Sequence, residues 1–350
     1  MVIAVSVSSV SGLASPTGLF PTRVVSMSPR FGYSPSTVKV RLSASEVDVV
    51  SRMQTMIRNW TAPYPPLDDH TTWRIEDSAA SSPTLASAIH AVEEAQRMFS
   101  FPHGETSVPV IFIIGRTQSF IREQIAAIGC IPSSAIVNGV YLMGATVCNR
   151  NVIVINLTGY FFLRSVTQPI TGRMEQRREP AMTATSYLVV DRNLSSLAHE
   201  WVHVARNRLS EGYVPDNEPA WFREGLAEVV SGLARVRAYG RAYPYLHFHV
   251  IRLRKFFDWD SRCPGSLRAY RHNGRIPTGC EYMKGGVAAE LLLAKYGGLA
   301  KIYELYGHIA ETGDFFSAFH ATYGITVSTF ERRADLYMSY ITRAESIGVR

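Results

Sequence analysis

The 350-residue sequence predicts an α+β protein, with a mixed α/β sheet subdomain in its first half and a mainly helical region after it. Three observations carry this expectation. Short β-branched runs, "VPVIFIIG", "AIVNGVYLMG" and "TVCNRNVIVINL", cluster between residues 108 and 157 and are bounded by turn residues, as strands are. From about Leu194 almost to the C-terminus, apolar residues recur at helical spacing instead. The composition, 46% hydrophobic and 19% charged, is that of a chain able to bury a substantial core.

Taken in order, residues 1–44 are rich in Ser and Pro and read as a tail or targeting segment. The sheet subdomain is expected over residues 45–190 and the helical region over 191–350. A helix covers roughly Glu46 to Trp60, and "APYPPLDDH" breaks it, because proline cannot continue a helix. "PTLASAIHAVEEAQRMF" has helical spacing, "VPVIFIIG" reads as a buried strand, and "TQSFIREQIAAIG" as a short helix. The two β-branched runs that follow are expected to pair with each other. Downstream, Gly232, the pair Gly297–Gly298 and Gly313 are expected helix stops, and Ser328 with Glu331 has the spacing of a capping box at the last helix.

Several function classes recede on composition. The longest apolar run, Val108–Ile114, is too short to cross a bilayer as a helix, so no transmembrane segment is expected. The net charge of +7 is scattered apart from "RLRKFFDWDSR", which reads as a solvated basic surface, and no nucleic-acid partner is expected. Four cysteines stand at 130, 148, 263 and 280 without CxxC spacing. Two locally closed loops, Cys130 with Cys148 and Cys263 with Cys280, would suit disulfides in an exported protein. Three pairings exist, and free thiols are the alternative. Secretion or another extracytoplasmic location is the expectation, and organelle targeting or the cytoplasm the alternative, because the N-terminal apolar stretch lacks a basic flank.

The chemistry is concentrated in "LSSLAHEWVHVARNRL", residues 194–209. His199 and His203 are one helical turn apart, so both imidazoles leave the same side, while Leu194, Leu197, Ala198, Trp201 and Ala205 mark a buried stripe. Glu200 stands beside them, where a base acting on water held by a shared metal belongs. A chain of this His and Glu content contains an HExxH by chance roughly 1–2% of the time, so the motif needs support. A catalytic zinc also requires a third protein ligand and an open position. "DNEPAWFREGLAEVVSGL" offers one: Pro219 suits a first helical turn, Phe222, Leu226, Val229, Val230 and Leu233 form a buried stripe, and Glu224 and Glu228 lie one turn apart on another face. Gly225 costs about 1 kcal/mol in a helix interior, and close helix approach would explain it.

HEWVH followed by "PAWFREGLAEVVSG" resembles the gluzincin metallopeptidases, in which a second helix of the form W-x-x-E-G-x-A-E supplies the third zinc ligand. The resemblance implies a zincin-type catalytic subdomain with Zn²⁺ on His199, His203 and Glu224, Glu200 as general base, and Glu228 orienting a ligand histidine. "EYMKGGVAAELLLAKYGG" is similar to the Y-x-K-G segment of aminopeptidase-type gluzincins, which implies that Tyr282 hydrogen-bonds the oxyanion. The closing "GDFFSAFHATYGITVSTFERRADLYMSYI" is similar to the C-terminal helical region of peptidase-MA-like proteins, and its AF…YG…F pattern reads as packing. The G-x-M-x-N strand of the aminopeptidases has no counterpart: "LMGATVCNRN" has the position and not the residues. The expected partner is therefore a peptide or protein substrate, with endo- and aminopeptidase action both open. A hydrolase of another substrate, or a zinc-containing binding protein without turnover, are the rivals. His247 and His249 in "HFHV" share a face if extended, and core or surface placement is the plainer reading than a metal pair.

Overall fold

The structure, a computed structural model, describes residues 42–66, 71–80, 85–102, 109–129, 144–147, 151–156, 185–213, 215–238, 243, 247, 263–272 and 279–343. Cys130, Cys148, His249, most of "AIVNGVYLMG", the basic "RLRKFFDWDS" and residues 1–41 of the expected tail lie outside the described residues. The chain divides into two compact units, Thr61–Val214 and Met1–Trp60 with Pro215–Arg350. The expected boundary near residue 190 falls inside a single helix, Thr185–Leu209, which packs within the sheet-containing unit.

That unit holds a four-stranded sheet of order β1-β2-β4-β3, with β1 Thr71–Ile75, β2 Val110–Gly115, β3 Gly144–Val147 and β4 Val152–Asn156. β1, β2 and β4 run parallel and β3 is antiparallel to β4. β2 has Val110, Phe112, Ile113 and Ile114 fully buried, as a central parallel strand covered on both faces should. Among the described residues the antiparallel pair is β3 with β4, Val147 opposite Val152 and Gly144, the last residue of "AIVNGVYLMG", opposite Ile155; residues 135–143 of that run lie outside the described residues. β1 was not anticipated: "TTWRI" is short and only half-buried, so it lacks both the apolar run and the clean alternation that signal a strand.

The described helices of this unit are α2 Asp77–Ala80, α3 Leu85–Met98, α4 Gln118–Ala127 and α5 Thr185–Leu209. The Thr117 hydroxyl caps α4 by accepting from the Phe120 amide, and Ile121 and Ile125 pack on Ile113, Val152 and Val154. α5 lies against α3, β3 and β4. There the buried Trp201 indole donates to the Phe99 carbonyl at 3.0 Å and stacks on Phe101.

The second unit is helical: α1 Ala44–Asn59, α6 Ala220–Ala238, α7 Cys280–Lys295, α8 Gly298–Thr312, α9 Phe315–Tyr323 and α10 Val327–Arg343. α1 starts two residues before the expected Glu46, because Ser43 and Glu46 form a reciprocal capping box. Gly297 and Gly298 separate α7 from α8, and Gly313 and Gly324 end α8 and α9, all with positive φ. Two sequence expectations are corrected. Gly232 does not stop α6, which runs on to Ala238 because Leu233, Ala234 and Val236 continue its buried face. Ser328 and Glu331 do not cap α10; the Thr326 hydroxyl accepts from the Thr329 amide instead. Both are taken by Arg271, which forks onto Glu331 at 2.6 Å from Nε and 2.6 Å from Nη2 and donates to Ser328. The AF…YG…F residues pack as expected, with Ala318, Phe319 and Phe330 fully buried. Among the described residues, no helix is long and apolar enough to cross a membrane.

Candidate metal centre

α5 is helical because its apolar residues find packing nearly all round: Leu197, Ala198, Trp201, Val202, Val204 and Ala205 are buried. The side chain of Leu194 lies outside the described residues. His199, 6% exposed, and the half-buried His203 interrupt this apolar surface, as the buried Arg206 and Asn207 do further along, and Glu200 is half-buried between the histidines in sequence. The two imidazoles meet edge to face, with Nε2 of one 3.1 Å from Nε2 of the other. Two nitrogens bound to one tetrahedral zinc at about 2.0–2.1 Å would stand roughly 3.3–3.4 Å apart. The pair is therefore within a few tenths of an ångström of a metal-ready separation.

Nδ1 of His203 has an unexpected neighbour. Arg206, one turn further along α5 and itself buried, places its Nε 3.2 Å from that nitrogen. A guanidinium only donates, so His203 accepts at Nδ1 and carries its proton on Nε2, the nitrogen that faces His199. A metal on Nε2 requires the opposite tautomer, in which Nδ1–H would turn against Arg206. Metal binding must therefore displace this contact. The i+3 spacing of Arg206 from His203 was the available signal.

α6 is built as its sequence predicts. Phe222, Leu226, Val229, Val230 and Leu233 are all fully buried, and Ala220 N–H donates to the Arg271 carbonyl at 2.8 Å at the helix start. The Trp221 indole donates to Glu331 at 3.0 Å, so the Arg271–Glu331 pair also anchors the first turn of α6. Glu224 is 6% exposed, not solvent-facing, and its Oε1 accepts from Arg223 Nε at 2.8 Å. Glu228 is half-buried one turn on.

Gly225, beside Glu224, marks a helix crossing. A Cβ there would fall well inside 3.0 Å of the Gly285 backbone in α7, and a Cβ on Gly285 would strike the Trp221 carbonyl. The two glycines let α6 and α7 meet backbone to backbone, the close approach expected for Gly225. Gly285 is the glycine of the Y-x-K-G segment, and "KGG" in a helical run is itself a signal of close backbone approach. α7 carries the half-buried Tyr282 in its first turn, and a disulfide from Cys280 to the buried Cys263 ties that turn down. Closing a loop of this size contributes on the order of 3 kcal/mol in the chain-entropy account.

Among the described residues, His199, His203 and Glu224 form the group that could hold a metal ion, one donor atom from each lying within 4.8 Å of the others. Two imidazoles and a carboxylate are the donor set of a catalytic zinc with a fourth position left for water, and they suit other divalent transition metals as well. Comparison of the chain with family models, curated proteins and solved structures finds no match.

Proposed function

We propose that the chain is a zinc-dependent peptidase of gluzincin type, with His199, His203 and Glu224 as ligands. The convergence of these three donors is the observation that carries the reading. Zinc held there would supply an electrophile that makes water acidic near neutral pH and polarises a carbonyl. Glu200 takes the proton of the attacking water and passes it to the departing amine, the exchange a carboxylate beside the metal ligands is suited to. Tyr282 donates its phenolic hydrogen to the oxygen on which charge develops. An extended substrate backbone pairs with an outer strand of the sheet, and Glu228 orients a ligand imidazole. The Cys263–Cys280 disulfide supports work in an oxidising compartment outside the cytoplasm.

Metal analysis tests the ligand set. Purified protein should carry about one zinc per chain, and Ala at His199, His203 or Glu224 should remove most of it. Zinc retained at the wild-type level in Glu224→Ala would sink the third ligand, and with it the gluzincin reading. Tyr282→Phe tests the oxyanion role: kcat should fall by the roughly 2–4 kcal/mol expected of one oxyanion donor, with KM and zinc content little changed. Unchanged turnover would return Tyr282 to packing.

A further inference from the structure

Four ionisable side chains from distant parts of the sequence meet in the helical unit: Glu46 on α1, Tyr243 and His247 between α6 and α7, and Glu290 on α7. His247 is 1% exposed, and Glu46 and Glu290 are fully buried. Nδ1 of His247 lies 2.8 Å from Oε1 and 3.1 Å from Oε2 of Glu290, and Nε2 lies 3.3 Å from Oε1 of Glu46. The Tyr243 hydroxyl donates to Glu290, and Tyr337 of α10 lies close enough to Tyr243 to act on it electrostatically. The other oxygen of Glu46 accepts from the backbone N–H of Ser43 at 2.8 Å and from its hydroxyl at 3.0 Å, so one carboxylate both caps α1 and faces the histidine.

Carboxylates only accept hydrogen bonds. A ring with a carboxylate oxygen at each nitrogen must donate from both, and among the states of histidine only the imidazolium does so. We propose that His247 is a buried, charged latch that seats α1 on α7, and that loss of its proton releases α1. This is independent of the metal-centre reading. A further charge pair between these helices, Asp48 with Lys295, is about a third or more exposed on both sides and so contributes little. A neutral His247 would turn a bare nitrogen lone pair toward a carboxylate oxygen in a site buried from solvent, losing one of the ring's two hydrogen bonds and the charge that both carboxylates face.

The direction of the pH dependence follows. Burial pushes the His247 pKa down, but the charges of and hydrogen bonds to Glu290 and Glu46 outweigh it and raise it from 6.5 to about 9. A pKa raised on folding stabilises fully below the unfolded value of 6.5, and that contribution erodes above it and is gone once pH passes about 9. Within that window the folding equilibrium loses about tenfold per pH unit for one such proton. Among the described residues, Glu46 from α1 and Glu290 from α7 face His247, Tyr243 from its own segment shares Glu290 with it, and Tyr337 of α10 acts electrostatically on Tyr243.

Nitrogen-15 NMR of the histidines in the full chain tests the latch, with the His247 signals identified by their loss in His247→Gln. Both ring nitrogens should be protonated at pH 7.5 and titrate near pH 9; a neutral ring at pH 7.5 overturns the proposal. Because His247→Gln can fail to fold, Glu46→Gln serves as a second variant that removes charge but keeps an oxygen for the α1 cap. In it the His247 midpoint should drop toward 6.5. Amide exchange over α1, corrected for intrinsic rates, should then be faster relative to α7 at pH 7.5 than in wild type, where it should rise progressively above about pH 6.5 and level off near pH 9. An unmoved midpoint, or α1 exchange in wild type that is flat from pH 7 to 10, rejects the latch.

Discussion

Glu200→Gln is expected to keep about one zinc per chain and to lose hydrolysis by about two to four orders of magnitude, the contribution of a positioned general base. Glutamine preserves the shape and a hydrogen-bonding oxygen of Glu200 but cannot take a proton from water. The three donor side chains, His199, His203 and Glu224, are untouched by the change, so metal content should not follow activity. That separation distinguishes a base from a ligand. Zinc content by elemental analysis and turnover of a quenched peptide pool measure the two sides. Equal turnover in the variant would remove Glu200 from the chemistry, and loss of zinc along with turnover would make it a ligand or a structural neighbour of one. A binding protein that holds zinc without turnover would show no activity in the wild type either.

A large loss of stability is expected at Gly225→Ala. In an open helix the change would stabilise by about 1 kcal/mol, because alanine is the better helix former. At the α6–α7 crossing the added Cβ meets the Gly285 backbone, which cannot swing aside as a side chain does. The helices must part, and overpacking of this kind costs typically 1–3 kcal/mol and occasionally more. A net loss of at least about 1–2 kcal/mol is expected, read as a lower urea midpoint at unchanged m-value. Gly307→Ala supplies the control: Gly307 sits within α8 with nothing near its missing Cβ, so there the same change should stabilise. If both substitutions stabilise, the close crossing is wrong. Since Glu224 is next to Gly225 and Tyr282 one turn before Gly285, parting the helices should also reduce zinc affinity and turnover more than stability alone requires.

Local signals carried a good part of the fold. Helical spacing located α1, α3, α4 and α6, and an uninterrupted apolar run located β2, because in these segments the pattern of burial is written in adjacent residues. Glycines at Gly297, Gly298 and Gly313 were legible for the same reason, since a left-handed residue ending a helix needs no distant partner. The candidate ligands were legible because a one-turn spacing brings His199 and His203 together on any helix. Where the sequence misled, a distant residue had intervened. Ser328 and Glu331 have the spacing of a capping box, yet Arg271 and Trp221 take them, because a half-buried guanidinium fork and a buried indole N–H outcompete a local cap. Gly232 would end an isolated helix, but the buried surface on either side of it holds α6 together. Arg206 against His203 depends on rotamers that spacing does not specify. His247 is the clearest case. Nothing in "HFHV" distinguishes a surface histidine from a buried cation, because its charge is set by Glu46, 201 residues before it, and Glu290, 43 residues after it. Periodicity and spacing thus determined which helices form and which side chains stand together on them, as both depend on neighbours along the chain. Protonation, close crossings and the final partners of polar groups waited for the tertiary structure, since burial and charge act through space between residues the sequence keeps apart.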